Sequence, residues 1–271
     1  MTPSTRPMPA LGLGTFRLKE QTVIDAVRSG LSLGYRHIDT AQIYGNEAEV
    51  GQAIAESGVP RVELFVTTKI WTESLAGDRL VPSLRESLAK LRLEAVDLTL
   101  IHWPSPGGAV PLKETLQALL DARRQGLTHA IGLSNFTVAQ MREAIDLVGV
   151  AALATNQVEC HPFLQNRAVA DFARAQGLHL TAYMPLAYGK VMADPVLQDI
   201  AAKHGTTPAQ VSLAWLLQQG FAVIPSSTRP ANQAANLQAL SLQLDDADME
   251  RIATLDRGER LANPDFAPAW D

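Results

Sequence analysis

Short apolar, β-prone runs alternate with amphipathic helical patterns along nearly the whole of this 271-residue chain. Such alternation marks βα units that feed a parallel sheet. The strand-like runs are Tyr35 to Asp39, Leu64 to Ile70, Val96 to His102, Ala130 to Ser134, Thr155 to Glu159, His179 to Met184, Ala222 to Pro225 and, most weakly patterned, Ala239 to Leu244. Eight strands, each with a helical partner, predict an α/β protein of the (β/α)8 TIM-barrel class. Local chemistry supports the helix limits. Thr137 to Gln140 and Thr207 to Gln210 read as capping boxes, the second with Pro208 in the first helical position. Gly34, Gly58, Gly126, Gly177 and Gly220 follow helical segments as left-handed stops.

Two segments depart from simple alternation. Between the sixth and seventh strands lie two helical stretches, about residues 195–204 and 208–219, so one βα loop carries an extra helix. Leu11 to Leu18 precedes the first βα unit, and its Gly12 and Gly14 suggest a short N-terminal β-hairpin covering the barrel bottom. No Pro/Gly/Ser-rich linker or low-complexity run divides the chain, so residues 1–271 are expected to form a single domain.

Composition narrows the function classes. With 46% hydrophobic and 19% charged residues the chain has enough apolar material for a closed barrel. A net charge of −5 without any Lys/Arg cluster argues against nucleic acid or an anionic membrane as partner. The run Met1 to Ala10 holds three prolines and no apolar signal core, and no later stretch approaches the length of a membrane span; a cytoplasmic protein is expected. Cys160 is the single cysteine. It has no internal partner, and beside His161 it reads as a buried strand-end residue ahead of a metal ligand or nucleophile.

Strand parity brings the chemistry together. Asp39 shares a face with His37 and Tyr35, Lys69 with Thr67 and Phe65, and His102 with Leu100 and Leu98, because side chains two apart on a strand point the same way. If these faces line the barrel interior, the three ionisable groups form one ring at the C-terminal mouth, where barrel enzymes keep their active sites. Tyr44 follows in the first βα loop. Taken singly, Asp39 reads as a loop anchor, Lys69 as a snorkelling residue and His102 as a satisfied histidine. Taken together they suit protonation of a carbonyl oxygen while hydride reaches its carbon. A phenol with an ordinary pKa of about 10 is a weak acid near neutrality. The Lys69 cation, itself held by Asp39, would favour the phenolate, and His102 would donate to the carbonyl oxygen.

Rival chemistry is visible in the same residues. His37 and Asp39 are two possible ligands for a divalent ion in a barrel hydrolase, but such a site needs further ligands and Lys69 would repel the ion. Nucleotide fingerprints are missing, since Gly12-Leu13-Gly14 is a lone GxG without its third glycine. A barrel also binds phosphate through loops after its last strands, and Ile224-Pro225-Ser226-Ser227-Thr228-Arg229 offers hydroxyls, an arginine and a helix start there.

At this point the chain resembles the aldo-keto reductases over essentially its whole length, and within them the bacterial branch that reduces 2,5-diketo-D-gluconate. The matching stretches are Gly12-Leu13-Gly14-Thr15-Phe16, His37-Ile38-Asp39-Thr40-Ala41, Tyr44-Gly45-Asn46-Glu47, Thr67-Thr68-Lys69-Ile70-Trp71, His102-Trp103-Pro104, Gly132-Leu133-Ser134-Asn135-Phe136, Asn156-Gln157-Val158-Glu159 and Ile224-Pro225-Ser226-Ser227. The resemblance implies a catalytic tetrad of Asp39, Tyr44, Lys69 and His102, with Tyr44 as general acid and Asp39 also beside the cofactor. It implies that Ser134, Asn135 and Gln157 hold the nicotinamide carboxamide. It further implies that Tyr183 stacks on the ring, Met184 to Leu186 follow the pyrophosphate and Thr15 lies near the ribose.

The adenine end departs from the family pattern. Ser226 stands where many members have lysine, and Asn232 and Ala235 replace an arginine and a glutamate; Asn236 is retained. Ser227, Thr228 and Arg229 are then the groups expected to take the 2′-phosphate of NADP(H). Trp71 and Trp103, with Trp270 of the C-terminal tail, would wall the substrate pocket beside Tyr44 and His102. Implied substrates are 2,5-diketo-D-gluconate, methylglyoxal and related small aldehydes or α-dicarbonyls, turned over by a monomer without metal. A non-catalytic nucleotide-binding regulator of the same fold would be expected to carry a damaged tetrad, and all four residues are present.

Overall fold

A computed structural model describes residues 7–271. Its eight parallel strands follow chain order: β1 (Leu13–Gly14), β2 (His37–Asp39), β3 (Phe65–Ile70), β4 (Val96–Ile101), β5 (Thr128–Ser134), β6 (Leu153–Glu159), β7 (Leu180–Tyr183) and β8 (Ala222–Val223). The ring closes between β8 and the chain around β1. Gly12 N–H donates to Val223 O at 2.8 Å, Val223 N–H to Ala10 O at 2.8 Å and Gly14 N–H to Pro225 O at 3.0 Å. Neighbours in such a parallel ladder are necessarily joined by crossovers, which here are helices.

The helices are α1 (Glu20–Leu33), α2 (Glu47–Glu56), α3 (Gly77–Leu91), α4 (Leu112–Arg124), α5 (Val138–Val148), α6 (Arg167–Gln176), α7 (Pro195–Lys203), α8 (Pro208–Gln218), α9 (Pro230–Gln238) and α10 (Asp246–Ala253). In α1, Val23, Ile24, Val27 and Leu31 are buried at helical spacing against the sheet, each worth roughly 1.5–3 kcal/mol of apolar burial. Both expected capping boxes form, and Asp245–Asp248 makes a third that starts α10. The five glycines read as helix stops all have positive φ. The extra helix is the α7–α8 pair between β7 and β8. Among the described residues no helix is long and apolar enough to cross a membrane.

Three expectations are corrected. Ala239 to Leu244 is no strand: Ala239–Ser241 form a 3-10 turn with Leu240 exposed, because the ring is already complete. The missing strand is β1, inside the segment read as a hairpin. A hairpin is not seen among the described residues; the first six residues of the run Met1 to Ala10 lie outside them. Gly12 and Gly14 serve close approach and not a turn. A Cβ at Gly12 would sit 2.7 Å from His37 Nδ1, and one at Gly14 2.8 Å from Ile224 O. Tyr35 lies before β2, and its hydroxyl donates to Gln233 O of α9 at 3.0 Å, outside the barrel.

Inside the barrel, the floor is apolar and the mouth polar. Phe65, Leu98 and Leu100 pack with Met8, Ala130 and Ala154. Met8 thus plugs the bottom that the hairpin was expected to cover. His37 lies in this floor, edge-on to Phe65 at 5.0 Å between ring centres, its Nε2 3.1 Å from Thr67 Oγ1.

Candidate active site

Asp39 ends β2, Lys69 is the fifth residue of β3 and His102 directly follows β4, so register places all three at one rim. Tyr44 is brought to them by a 3-10 turn, Gln42–Tyr44, that Gly45 ends with φ 60°. Asn46 pins this loop. Its amide donates to Thr15 O and Leu18 O, both at 2.9 Å, and accepts Thr40 Oγ1–H at 2.9 Å. The loop therefore cannot drift from the N-terminal segment without breaking two buried bonds.

The Lys69 ammonium uses all three protons: on Asp39 Oδ1 at 2.5 Å, Thr40 O at 2.9 Å and Tyr44 Oη at 3.2 Å. Asp39 Oδ2 accepts Gln157 Nε2–H at 2.8 Å, and Asp39 O accepts both the hydroxyl and the N–H of Thr15 at 3.0 Å. Asp39 and Lys69 are 1% and 0% exposed, so a charge on either is tolerable only because the other is there. Burial works against the Lys69 charge, but Asp39 and Tyr44 outweigh it and hold the ammonium above its ordinary value.

For Tyr44 the balance differs from the sequence expectation. Burial raises its pKa and Lys69 only partly pulls it back, so the phenol stays protonated well past neutrality. Burial, aided by Lys69, keeps His102 neutral with a pKa well below 6.5. The His102 ring stands edge-on to Tyr44 at 5.6 Å and to Trp71 at 5.3 Å.

Asp39, Tyr44 and His102, with Lys69 buried behind them, open into a cavity of about 850 Å³. Of the residues expected at the cofactor, Asp39, Ser134, Asn135, Gln157, Tyr183, Met184, Leu186, Ser226, Ser227 and Asn236 line it. So do Tyr44, Trp71, His102 and Trp103 of the expected substrate pocket. Thr15, Thr228 and Arg229 do not line its wall. Thr15 is buried beneath Asp39, and Arg229 is exposed at the start of α9, its N–H donating to Ser227 Oγ at 3.2 Å. Ser134 Oγ–H donates to Gln157 O at 2.8 Å, and Asn135 Oδ1 accepts the Tyr183 hydroxyl at 2.8 Å. These polar groups hold one another in place on the cavity floor.

Several walls were missed from sequence: Phe16, Arg17, Ile43 and Tyr188 at the rim, and Ala262, Pro264 and Phe266 of the tail. Phe266 meets Trp71 and Trp103 edge-on at 5.8 and 5.7 Å. Trp270 packs on Trp103 at 5.9 Å behind the lining. A tail without helical or strand periodicity offers no pattern from which to read this; its aromatic content was the one available signal.

The metal reading fails on donor occupancy. Both carboxylate oxygens of Asp39 are taken by Lys69 and Gln157, His37 lies in the floor with Nε2 on Thr67, and among the described residues no three His, Cys, Asp or Glu side chains gather as a metal site would need. Burial, reinforced by the Asp256 and Glu159 carboxylates, pushes the Cys160 thiol up and leaves it inert.

Sequence comparison agrees with this geometry, since the Aldo/keto reductase family matches residues 10–257. The chain belongs to the aldo-keto reductase family. Methylglyoxal reductase DkgB of Salmonella typhimurium is 61% identical over 97% of this chain and 99% of that protein. Glyoxal reductase of Bacillus subtilis is 39% identical over 95% of this chain and 93% of that protein. A solved structure described as a candidate 2,5-diketo-D-gluconic acid reductase B aligns with a TM-score of 0.94 at 44% identity, covering 100% of this chain and 96% of that one. The protein is an oxidoreductase, and aldo-keto reductases work with nicotinamide cofactors.

Proposed function

We propose that this aldo-keto reductase uses NADPH to reduce small aldehydes and ketones to alcohols, with methylglyoxal and 2,5-diketo-D-gluconate within its range. The observation that carries this reading is the Lys69 ammonium shared between Asp39 and the Tyr44 hydroxyl at the floor of the cavity. A carbonyl oxygen within reach of Tyr44 Oη and the His102 ring meets two donors. Tyr44 gives up its proton as negative charge develops on that oxygen, and the adjacent ammonium stabilises the phenolate left behind. Asp39 keeps the ammonium charged and aimed. His102, being neutral, orients the carbonyl with one N–H and carries no charge of its own.

The residues fit a nicotinamide cofactor. Ser134, Asn135 and Gln157 put amide and hydroxyl groups beside the tetrad, Tyr183 offers a ring, and Ser226 and Ser227 precede the N-terminus of α9, where N–H groups favour a phosphate. When bound, NADPH supplies from nicotinamide C4 the hydride that the carbonyl carbon receives. Preference for NADPH over NADH rests on Arg229 with Ser227 and Thr228, which stand closest to that helix start. The aromatic walls of Trp71, Trp103 and Phe266 suit a small, flat carbonyl.

The test is loss of NADPH absorbance with methylglyoxal, run beside NADH and beside Tyr44→Phe. Consumption that depends on Tyr44 and favours NADPH is expected. No consumption across a panel of small carbonyls would overturn the reading.

A further inference from the structure

Glu159 is buried, charged by type and unused by the chemistry above. It ends β6, two residues beyond Gln157 on the same face, and is 0% exposed. Its two carboxylate oxygens reach the tail: Oε1 accepts Leu261 N–H and Oε2 accepts Ala262 N–H, each at 2.8 Å. His161, also 0% exposed, places Nε2 2.9 Å from Oε1. The Glu159 carbonyl accepts the Asn166 amide at 2.5 Å, and Asn166 Oδ1 accepts Arg260 Nη2–H at 3.0 Å. One strand end therefore grips three consecutive tail residues, 260 to 262, through its side chain and its backbone.

Beyond this grip the tail becomes the substrate wall. Ala262, Pro264 and Phe266 line the cavity. Phe266 stands between Trp71 and Trp103, and Trp270 lies under the Arg260 guanidinium at 3.6 Å. The tail end is tied again where Val138 N–H of α5 donates to the Asp271 carboxylate at 2.8 Å. That second tie is exposed, and an exposed bond of this kind contributes little. The buried carboxylate is the stronger anchor, because a group left unpaired there would bear its full desolvation cost.

We propose that Glu159 is a positioning residue for substrate: it sets where Phe266 stands over the reacting carbonyl, without touching substrate, cofactor or the transferred proton. The inference rests on the reductase reading only for its kinetic arm. Glu159→Gln keeps shape and size, yet its NH2 group must face at least one N–H that the carboxylate accepted. Hydrogen exchange at the Leu261 and Ala262 amides is expected to quicken by on the order of tenfold or more. KM for methylglyoxal is expected to rise on the order of tenfold, with kcat and the NADPH Kd within about twofold of the parent.

Phe266→Ala supplies the decisive comparison in the full-length protein. It is expected to raise KM in the same manner, and the Glu159→Gln/Phe266→Ala double variant to be no worse than the poorer single, since both act through one contact. Multiplying effects in the double variant would overturn the proposal. So would an unchanged KM, or an NADPH Kd that shifts together with KM, which would make Glu159 a support for the whole barrel mouth. If Glu159→Gln does not fold, Leu261→Pro removes one donor from the tail side at a position that does not line the cavity, with the same kinetic expectations and with exchange read at the Ala262 amide. A parent enzyme that turns over no carbonyl would sink the reductase reading, while the exchange measurement would still decide whether Glu159 anchors the tail.

Discussion

At the floor of the cavity Lys69 commits its three protons to Asp39, Thr40 and Tyr44, and Asp39 closes the network through Gln157. On the rim after β8, the Ser226–Arg229 loop is largely exposed and bonds to itself and to the neighbouring α9: Ser227 with Arg229, and Gln233 with the Ser227 carbonyl at 2.8 Å. Under the proposed function the difference reflects what each region does. Proton transfer needs groups fixed in a water-poor site, which strand ends inside a barrel supply. Recognition of a nucleotide end needs donors left free for the ligand, and a surface loop supplies those with little structural cost.

The sharpest way to break this comparison is at the floor. Tyr44→Phe should cut kcat by about 100-fold to 10,000-fold, the usual loss with a general acid, and leave the NADPH Kd nearly unchanged. Steady-state rates with tryptophan-quenching titration measure both, and near-normal turnover would remove Tyr44 from its role. Lys69→Met should cost about 3–5 kcal/mol of stability, because it strands a buried carboxylate, and should abolish most activity. Denaturant midpoints at constant slope read the first effect. A variant as stable as the parent would show that the pair is less buried in solution than its geometry says.

The pH profile of reduction sharpens the same contrast. Tyr44 is raised above 10.0, so its donating form persists through neutrality and is lost only as pH rises through that raised value. His102 lies well below 6.5, so no step is expected near pH 6.5. The rate at saturating substrate should be flat from about pH 6 to 9 and fall in alkali. A step near pH 6.5 that His102→Gln abolishes would show a charged histidine at work. The smallest effect belongs to the rim: Arg229→Ala should weaken NADPH on the order of fivefold, as suits an exposed charge pair, and leave NADH unchanged. Equal loss for both cofactors would place the 2′-phosphate elsewhere.

Seven of the eight strands, the extra α7–α8 pair and two capping boxes were legible, because each rests on a local rule of spacing or hydrogen bonding. Strand parity also foresaw that Asp39, Lys69 and His102 share a rim. Reading β1 as a hairpin failed for an instructive reason. Gly12 and Gly14 carry the composition of a turn, but their small size serves contacts with His37 and Ile224 that are distant in sequence. The two-residue length of β1 leaves no alternation to detect. Leu240 and Leu242 showed the reverse error, an alternating pattern with no sheet edge left to join.

Sequence alone thus determined the barrel, its register of ionisable strand ends and the residue types for proton transfer, since periodicity and side-chain chemistry are properties of short stretches. Only the tertiary structure decided the sign of the Tyr44 shift, the use of Gly12 and Gly14, and the placing of Phe266 through Glu159. Those depend on burial and on partners far apart in the chain, such as Glu159 with Leu261 and Gly14 with Ile224, and no local pattern encodes which distant groups will share one desolvated space.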